Sequence, residues 1–142
     1  MNAVELIAEL KKQHQQLNKD LTLALAYTDK EIEKDGKNIF KELEKFKKDL
    51  TEHLNLENGT FYPSYLEKKS ARGEDLESTK KFIKEMEDIG KVVIAFLEKY
   101  NSPEKISSSL ENFKKELEQI IRTLRMRIET EEEGVFDLYL IM

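Results

Sequence analysis

Residues 50–66 read LTEHLNLENGTFYPSYL, and within them His53-x-x-x-Glu57 sets an imidazole and a carboxylate one helical turn apart. Steps of three and four residues lead back from this pair through Leu50, Phe46, Leu43 and Ile39, an apolar stripe of the kind that faces a helical core. His53 and Glu57 continue that stripe, so two metal-type ligands are expected to point inward from one helix.

The other helical segments carry the same arrangement. The first has a seam of Ala3, Ile7, Leu10, His14, Leu17 and Leu21, and the last has Leu110, Phe113, Leu117, Ile120, Leu124, Arg127 and Glu131. The chain's two histidines therefore both lie on core seams. Four long periodic segments are expected: about Asn2 to Tyr27, about Lys37 to Lys68, a third from after KKSARGED to about Tyr100, and a fourth running almost to Met142. The third seam reads Phe82, Met86, Ile89, Val93, Phe96 and Tyr100. Asp35-Gly36 breaks the chain between the first two segments, and Ser102-Pro103 supplies a cap and a first-turn proline for the last. Pro63 predicts a kink or an end in the second helix, because it removes a backbone donor and clashes with the preceding turn.

Four amphipathic helices with short connections predict an all-α, antiparallel up-down-up-down four-helix bundle spanning residues 1–142 as one domain. In such a bundle, residues equidistant from a connecting turn share a height. His14 matches His53 across the first connector, Glu57 matches Met86 across the second, and Arg127 with Glu131 falls near the same level. One polar layer built from three or four helices is the expectation.

Composition narrows the chemistry. With a net charge of -5 and a pI near 5.3, and with lysine and arginine interleaved with glutamate along every helix, no nucleic-acid surface is expected. There is no cysteine, so disulfides and thiolate ligands are excluded. Charged residues begin at Glu5, and no apolar run approaches the roughly 20 residues that span a bilayer, which predicts a soluble, cytoplasmic protein without a leader. Ferritin-type di-iron sites need Glu-x-x-His pairs, and neither histidine has a glutamate three residues before it. Without a Gly-rich phosphate loop or a cysteine nucleophile, and with both histidines on core seams, hydrolytic catalysis is not expected. The chain reads as a binding protein, with weak oxidase activity as the one enzymatic alternative.

Taken together, a histidine in KKQHQQL, HLNLENGTFYP with its His-x-x-x-Glu and aromatic-Pro ending, MEDIGKVVIAFL, and RIETEEEGVF resemble the four helical segments of the hemerythrin-like, or HHE cation-binding, family. The resemblance covers nearly the whole chain. It implies a four-helix bundle holding a non-haem di-iron centre that binds dioxygen, another small diatomic, or iron itself. On the family's pattern His14, His53, Glu57 and Glu131 match ligand positions, whereas Met86 and Arg127 stand where histidines are usual. The resemblance thus implies that one iron's ligands survive while the other has lost its imidazoles.

Two histidines with one or two carboxylates suit a mononuclear Fe(II), Mn or Zn ion. Arg127 offers a competing account, in which its guanidinium pairs with Glu57 or Glu131 and replaces the metal's charge in a metal-free interaction or regulatory module. If it instead extends outward along its stem, the metal reading is favoured. Glu85, Glu87 and Glu132 would complete a carboxylate-rich dinuclear site only if their helices rotated. In the run Glu131-Glu132-Glu133 only Glu131 falls on the seam, and Phe61, Tyr62 and Tyr65 read as packing residues. The apolar ending FDLYLIM closes the bundle or packs against a second subunit, leaving monomer and homodimer both open and a protein partner compatible.

Overall fold

A computed structural model describes residues 1–29 and 36–142. Its helices are α1 (Ala3–Thr28), α2 (Lys37–Leu56), α3 (Tyr62–Ala71), α4 (Glu77–Lys99), α5 (Pro103–Ser107), α6 (Leu110–Thr130) and α7 (Phe136–Ile141). Two π-helical turns, Glu57–Phe61 and Glu131–Val135, join α2 to α3 and α6 to α7 without interrupting the rods. Among the described residues there is no strand, and no helix is long and apolar enough to cross a membrane.

Side-chain pairs fix how the rods run. Asp20 pairs with Lys45, and Gln13 with His53, so α2 ascends as α1 descends. Asp29 meets Lys114 and Asn18 meets Arg125, which sets α6 antiparallel to α1. Lys99 meets Glu116, and Met86 meets Arg127, which does the same for α4 and α6.

The local sequence explains most boundaries. Asn2 caps α1 by accepting the Glu5 amide, and Ser102 caps α5 by accepting that of Lys105. Gly36 sits at φ 73°, and a Cβ there would come within 2.6 Å of the Pro103 carbonyl, so both conformation and space require glycine. Its neighbour in the expected break, Asp35, lies outside the described residues.

Two expectations are corrected. The fourth segment does not run unbroken from Pro103, because α5 ends at Ser107 and α6 begins at Leu110. Ser107 and Ser108 turn their hydroxyls back onto the Glu104 and Lys105 carbonyls, which competes with helix continuation. Of the two outcomes expected at Pro63, an end of the second rod is not found, and the departure from α geometry falls just before it. The wider π turn before it absorbs the misfit, and Pro63 occupies the first turn of α3.

The apolar interior is divided into two parts. One, around Leu17, Phe46, Leu50, Phe96, Phe113 and Leu124, fills the half near the first connector. The other, around Leu10, Phe61, Tyr65, Met86, Phe136 and Tyr139, fills the opposite half. Buried polar residues lie between them: His14 between Leu10 and Leu17, His53 and Glu57 between Leu50 and Phe61, and Arg127 and Glu131 between Leu124 and Val135.

Candidate metal centre

Helix spacing carries His14, His53 and Glu57, Arg127 and Glu131 inward from three rods, and burial leaves each of them 3 % exposed or less. One nitrogen from each histidine and one oxygen from each glutamate all lie within 4.8 Å of one another. His53 Nε2 is 3.1 Å from Glu57 Oε1, His14 Nε2 is 3.2 Å from Glu131 Oε1, and His14 Nε2 is 3.7 Å from Glu57 Oε1.

The outer nitrogens of both rings are engaged elsewhere. His14 Nδ1 lies 2.6 Å from Glu132 Oε2, and His53 Nδ1 lies 2.8 Å from Gln13 Oε1. A carboxylate can only accept, so His14 Nδ1 carries the hydrogen. Gln13 directs its amide nitrogen at Glu9, 3.5 Å away, leaving its oxygen for His53. Both Nε2 lone pairs are thereby turned toward the centre when the rings are neutral. Phe136 stacks on the His14 ring with centroids 5.6 Å apart and holds its plane.

Each carboxylate divides its two oxygens. Glu57 Oε2 accepts a hydrogen bond from Arg127 Nη2 at 2.5 Å, and Glu131 Oε2 accepts one from the Tyr62 hydroxyl at 2.5 Å. The remaining oxygens, Glu57 Oε1 and Glu131 Oε1, are buried without a hydrogen-bond partner, as is His14 Nε2. Unpaired buried acceptors are costly. Three of them converging on one point, beside the His53 lone pair, call for a cation there.

Titration follows from this crowding. Burial alone would lower the His14 pKa, but the facing carboxylates of Glu131 and Glu57 outweigh it and raise it to about 9. Burial raises Glu131 to about 7, with Glu57 adding repulsion. Glu57 is also desolvated, yet His14 and His53 hold it well below the usual carboxylate range. Burial lowers His53, with the charges of His14 and Arg127 acting in the same direction. Without a metal the centre therefore holds a proton on the His14 side and a neutral His53.

Arg127 does not extend outward. It is buried, donates from Nη1 to the Met86 carbonyl at 3.0 Å and from Nη2 to Glu57, and keeps Nε 3.7 Å from Glu131 Oε1. Met86 contributes its backbone to this contact while its side chain fills the core. Glu85 and Glu87 are exposed on α4 and lie outside the cluster of candidate ligands, so neither supplies the further carboxylate considered above. Glu132 is drawn in, but as the partner of His14 Nδ1, so Glu131 is not alone in facing the seam.

Three contributors were not singled out from the sequence: Gln13, Tyr62 in a polar role, and Glu132 as a hydrogen-bond acceptor for His14. Tyr62 carried no readable signal, since its hydroxyl reaches Glu131 on another rod and its placement depends on a π turn that the seam spacing does not show. The first π turn closes through Tyr62 N to Glu57 O, and the second closes through Phe136 N to Glu131 O. Both turns begin on a candidate ligand.

A family model described as Hemerythrin HHE cation binding domain matches residues 5–139. No curated protein and no solved structure matches the chain.

Proposed function

We propose, for a chain that belongs to the hemerythrin HHE cation-binding family, that it binds one divalent transition-metal ion, iron in the reading the family supports. His14, His53, Glu57 and Glu131 would hold the ion. The observation that carries this reading is the convergence of His14 Nε2, Glu57 Oε1 and Glu131 Oε1, all buried and all unpaired. Two imidazoles and two carboxylates suit iron, manganese or zinc. When bound, an iron ion supplies a Lewis-acidic, redox-active centre able to take a small diatomic such as dioxygen.

The protein's own residues set the number of ions. Arg127 places a permanent charge against Glu57 Oε2, and Tyr62 occupies Glu131 Oε2, so neither carboxylate has a second free oxygen with which to bridge to another metal. Glu132 and Gln13 orient the imidazoles. The two flanking apolar cores exclude bulk water from the layer. A metal-free module in which Arg127 alone neutralises the layer is less well supported, because Arg127 satisfies one oxygen of Glu57 and the inner oxygens then depend on a proton carried by His14.

The test is elemental analysis of untagged protein grown with supplemental iron, beside a His53→Ala variant. About one metal per chain, lost in the variant, is expected. About two per chain would overturn the mononuclear reading, and a well-folded protein that takes up none would overturn metal binding.

A further inference from the structure

A cavity of about 340 Å³ opens between α2, α4 and α6, on the side of the polar layer held by Arg127. Its walls are Leu54, Ile94 and Ala95, Gly90 and the Arg127 guanidinium line it, and Asn58, Glu87, Lys91 and Glu98 contribute polar groups. We propose that this cavity is a binding site for a small monocarboxylate with a short apolar body, whose carboxylate docks on Arg127 beside Gly90.

Gly90 provides the first argument. It sits in the interior of α4 and is buried, where glycine is destabilising relative to alanine. Backbone conformation does not require it, since the positive-φ glycines among the described residues are Gly36 and Gly73. A Cβ at Gly90 would lie 3.4 Å from Arg127 Nη1 and 3.9 Å from Leu54, ordinary contacts that the fold would accept. What glycine preserves here is open space in front of a guanidinium. A local rule broken without a structural return points to a functional site.

Arg127 provides the second. A guanidinium has five N–H groups. Here Nη1 gives one to the Met86 carbonyl, Nη2 gives one to Glu57, and Nε is turned toward Glu131 Oε1 at 3.7 Å, which leaves Nη1 with a second N–H in a side chain 3 % exposed. Nη1 is the atom nearest the space left by Gly90, so an acceptor entering the cavity meets a donor already fixed in place. The planar fork of arginine complements a carboxylate. Glu87 and Glu98 outnumber Lys91 among the charged lining residues, which disfavours multiply charged anions such as phosphates. The aliphatic walls favour a short alkyl chain over a polar one.

The site is distinct from the four candidate metal ligands and is tested on metal-free protein, so its outcome is separable from that of the metal reading. Butyrate is the probe, followed by backbone amide NMR, with butyramide and inorganic phosphate as comparisons. Saturable shifts centred on Gly90, Lys91, Ile94 and Ala95 are expected with butyrate. They should weaken about tenfold or more in Ala95→Leu, which fills the cavity. Gly90→Ala is expected to raise the Tm by about 2–4 °C while weakening butyrate, as a residue kept for space and not for the fold. Absence of saturable shifts at these amides, or equal binding by Ala95→Leu with its fold intact by the same spectra, would overturn the site. Butyramide or phosphate binding as tightly as butyrate would overturn the assignment to a monocarboxylate.

Discussion

Arg127 Nη2 and Glu57 Oε2 stand 2.5 Å apart in a layer where both residues are buried, joining the last rod of the bundle to the second. Arg127 brings a permanent charge into the layer beside the candidate ligands. The other oxygen of Glu57 faces the histidines, and His14 and His53 keep the carboxylate ionised in a desolvated place.

Arg127→Met keeps the length of the side chain and removes the charge. It leaves Glu57 Oε2 and the Met86 carbonyl without their donors. Breaking one side of a buried pair costs about 3–5 kcal/mol, so urea denaturation should show a loss of that size. A loss below about 1 kcal/mol would show that the pair is not needed to balance the layer. Arg127→His, alone or with Met86→His, is expected to let a second metal bind, read as metals per chain. Failure of both would count against the ligand assignment.

The helical fold was legible because the apolar seams are long and regular, and the polar positions within them kept strict helical phase. His14, His53, Glu57 and Glu131 could be placed at one height from sequence because an antiparallel bundle converts distance from a turn into height. The π turns were not legible, since a single extra residue per turn leaves the seam spacing nearly unchanged on either side of Glu57 and Glu131. The direction taken by Arg127 is not set by the seam: a long side chain can turn in or run out, and its bonds to the Met86 carbonyl and to Glu57 settle which. The engagement of Glu132 depends on the second π turn, which re-aims the residues after Glu131.

Glu132 accepts from His14 Nδ1 as Gln13 Oε1 does from His53 Nδ1, so the two imidazoles are oriented by a charged and a neutral acceptor respectively. Such outer partners are worth about 10–100-fold in metal affinity. Glu132→Ala is expected to weaken binding of a divalent ion by that factor, and Gln13→Leu by the lower part of it, in competition with a chromophoric chelator. Equal affinity in both variants would remove orientation of the rings from the account.

Metal and proton compete for the same place. His14 is raised from 6.5 to about 9, so its protonation stabilises the metal-free fold fully below about 6.5, and that contribution is lost as the pH climbs to about 9. Glu131, raised from 4.5 to about 7, acts with the same sign at lower pH: its stabilising protonation is complete below about 4.5 and is lost by about 7. Metal binding requires both groups deprotonated. The Tm of metal-free protein should therefore fall between about pH 6.5 and 9, while metal affinity rises roughly tenfold per pH unit across the same interval. Calorimetry of metal-free protein and chelator competition over that range measure the two trends, and an affinity independent of pH would show that no proton is displaced.

Tyr62 donates a hydrogen bond to a carboxylate in the buried layer, whereas the hydroxyls of Ser64 and Tyr139 meet each other at 2.9 Å in a partly buried setting. Removing one member of each pair separates charge assistance from hydrogen bonding in general. Tyr62→Phe leaves Glu131 Oε2 unsatisfied beside an inner oxygen that already has no partner, and should cost about 1–3 kcal/mol in the metal-free protein. Ser64→Ala removes a neutral bond with no charged partner, and should cost about 0.5–1.5 kcal/mol. A metal held by Glu131 would withdraw charge from that carboxylate and reduce its demand for the tyrosine proton. The penalty of Tyr62→Phe should therefore shrink in metal-loaded protein while that of Ser64→Ala stays the same. If the two penalties move together on loading, Tyr62 is packing and nothing more, as its sequence context first implied.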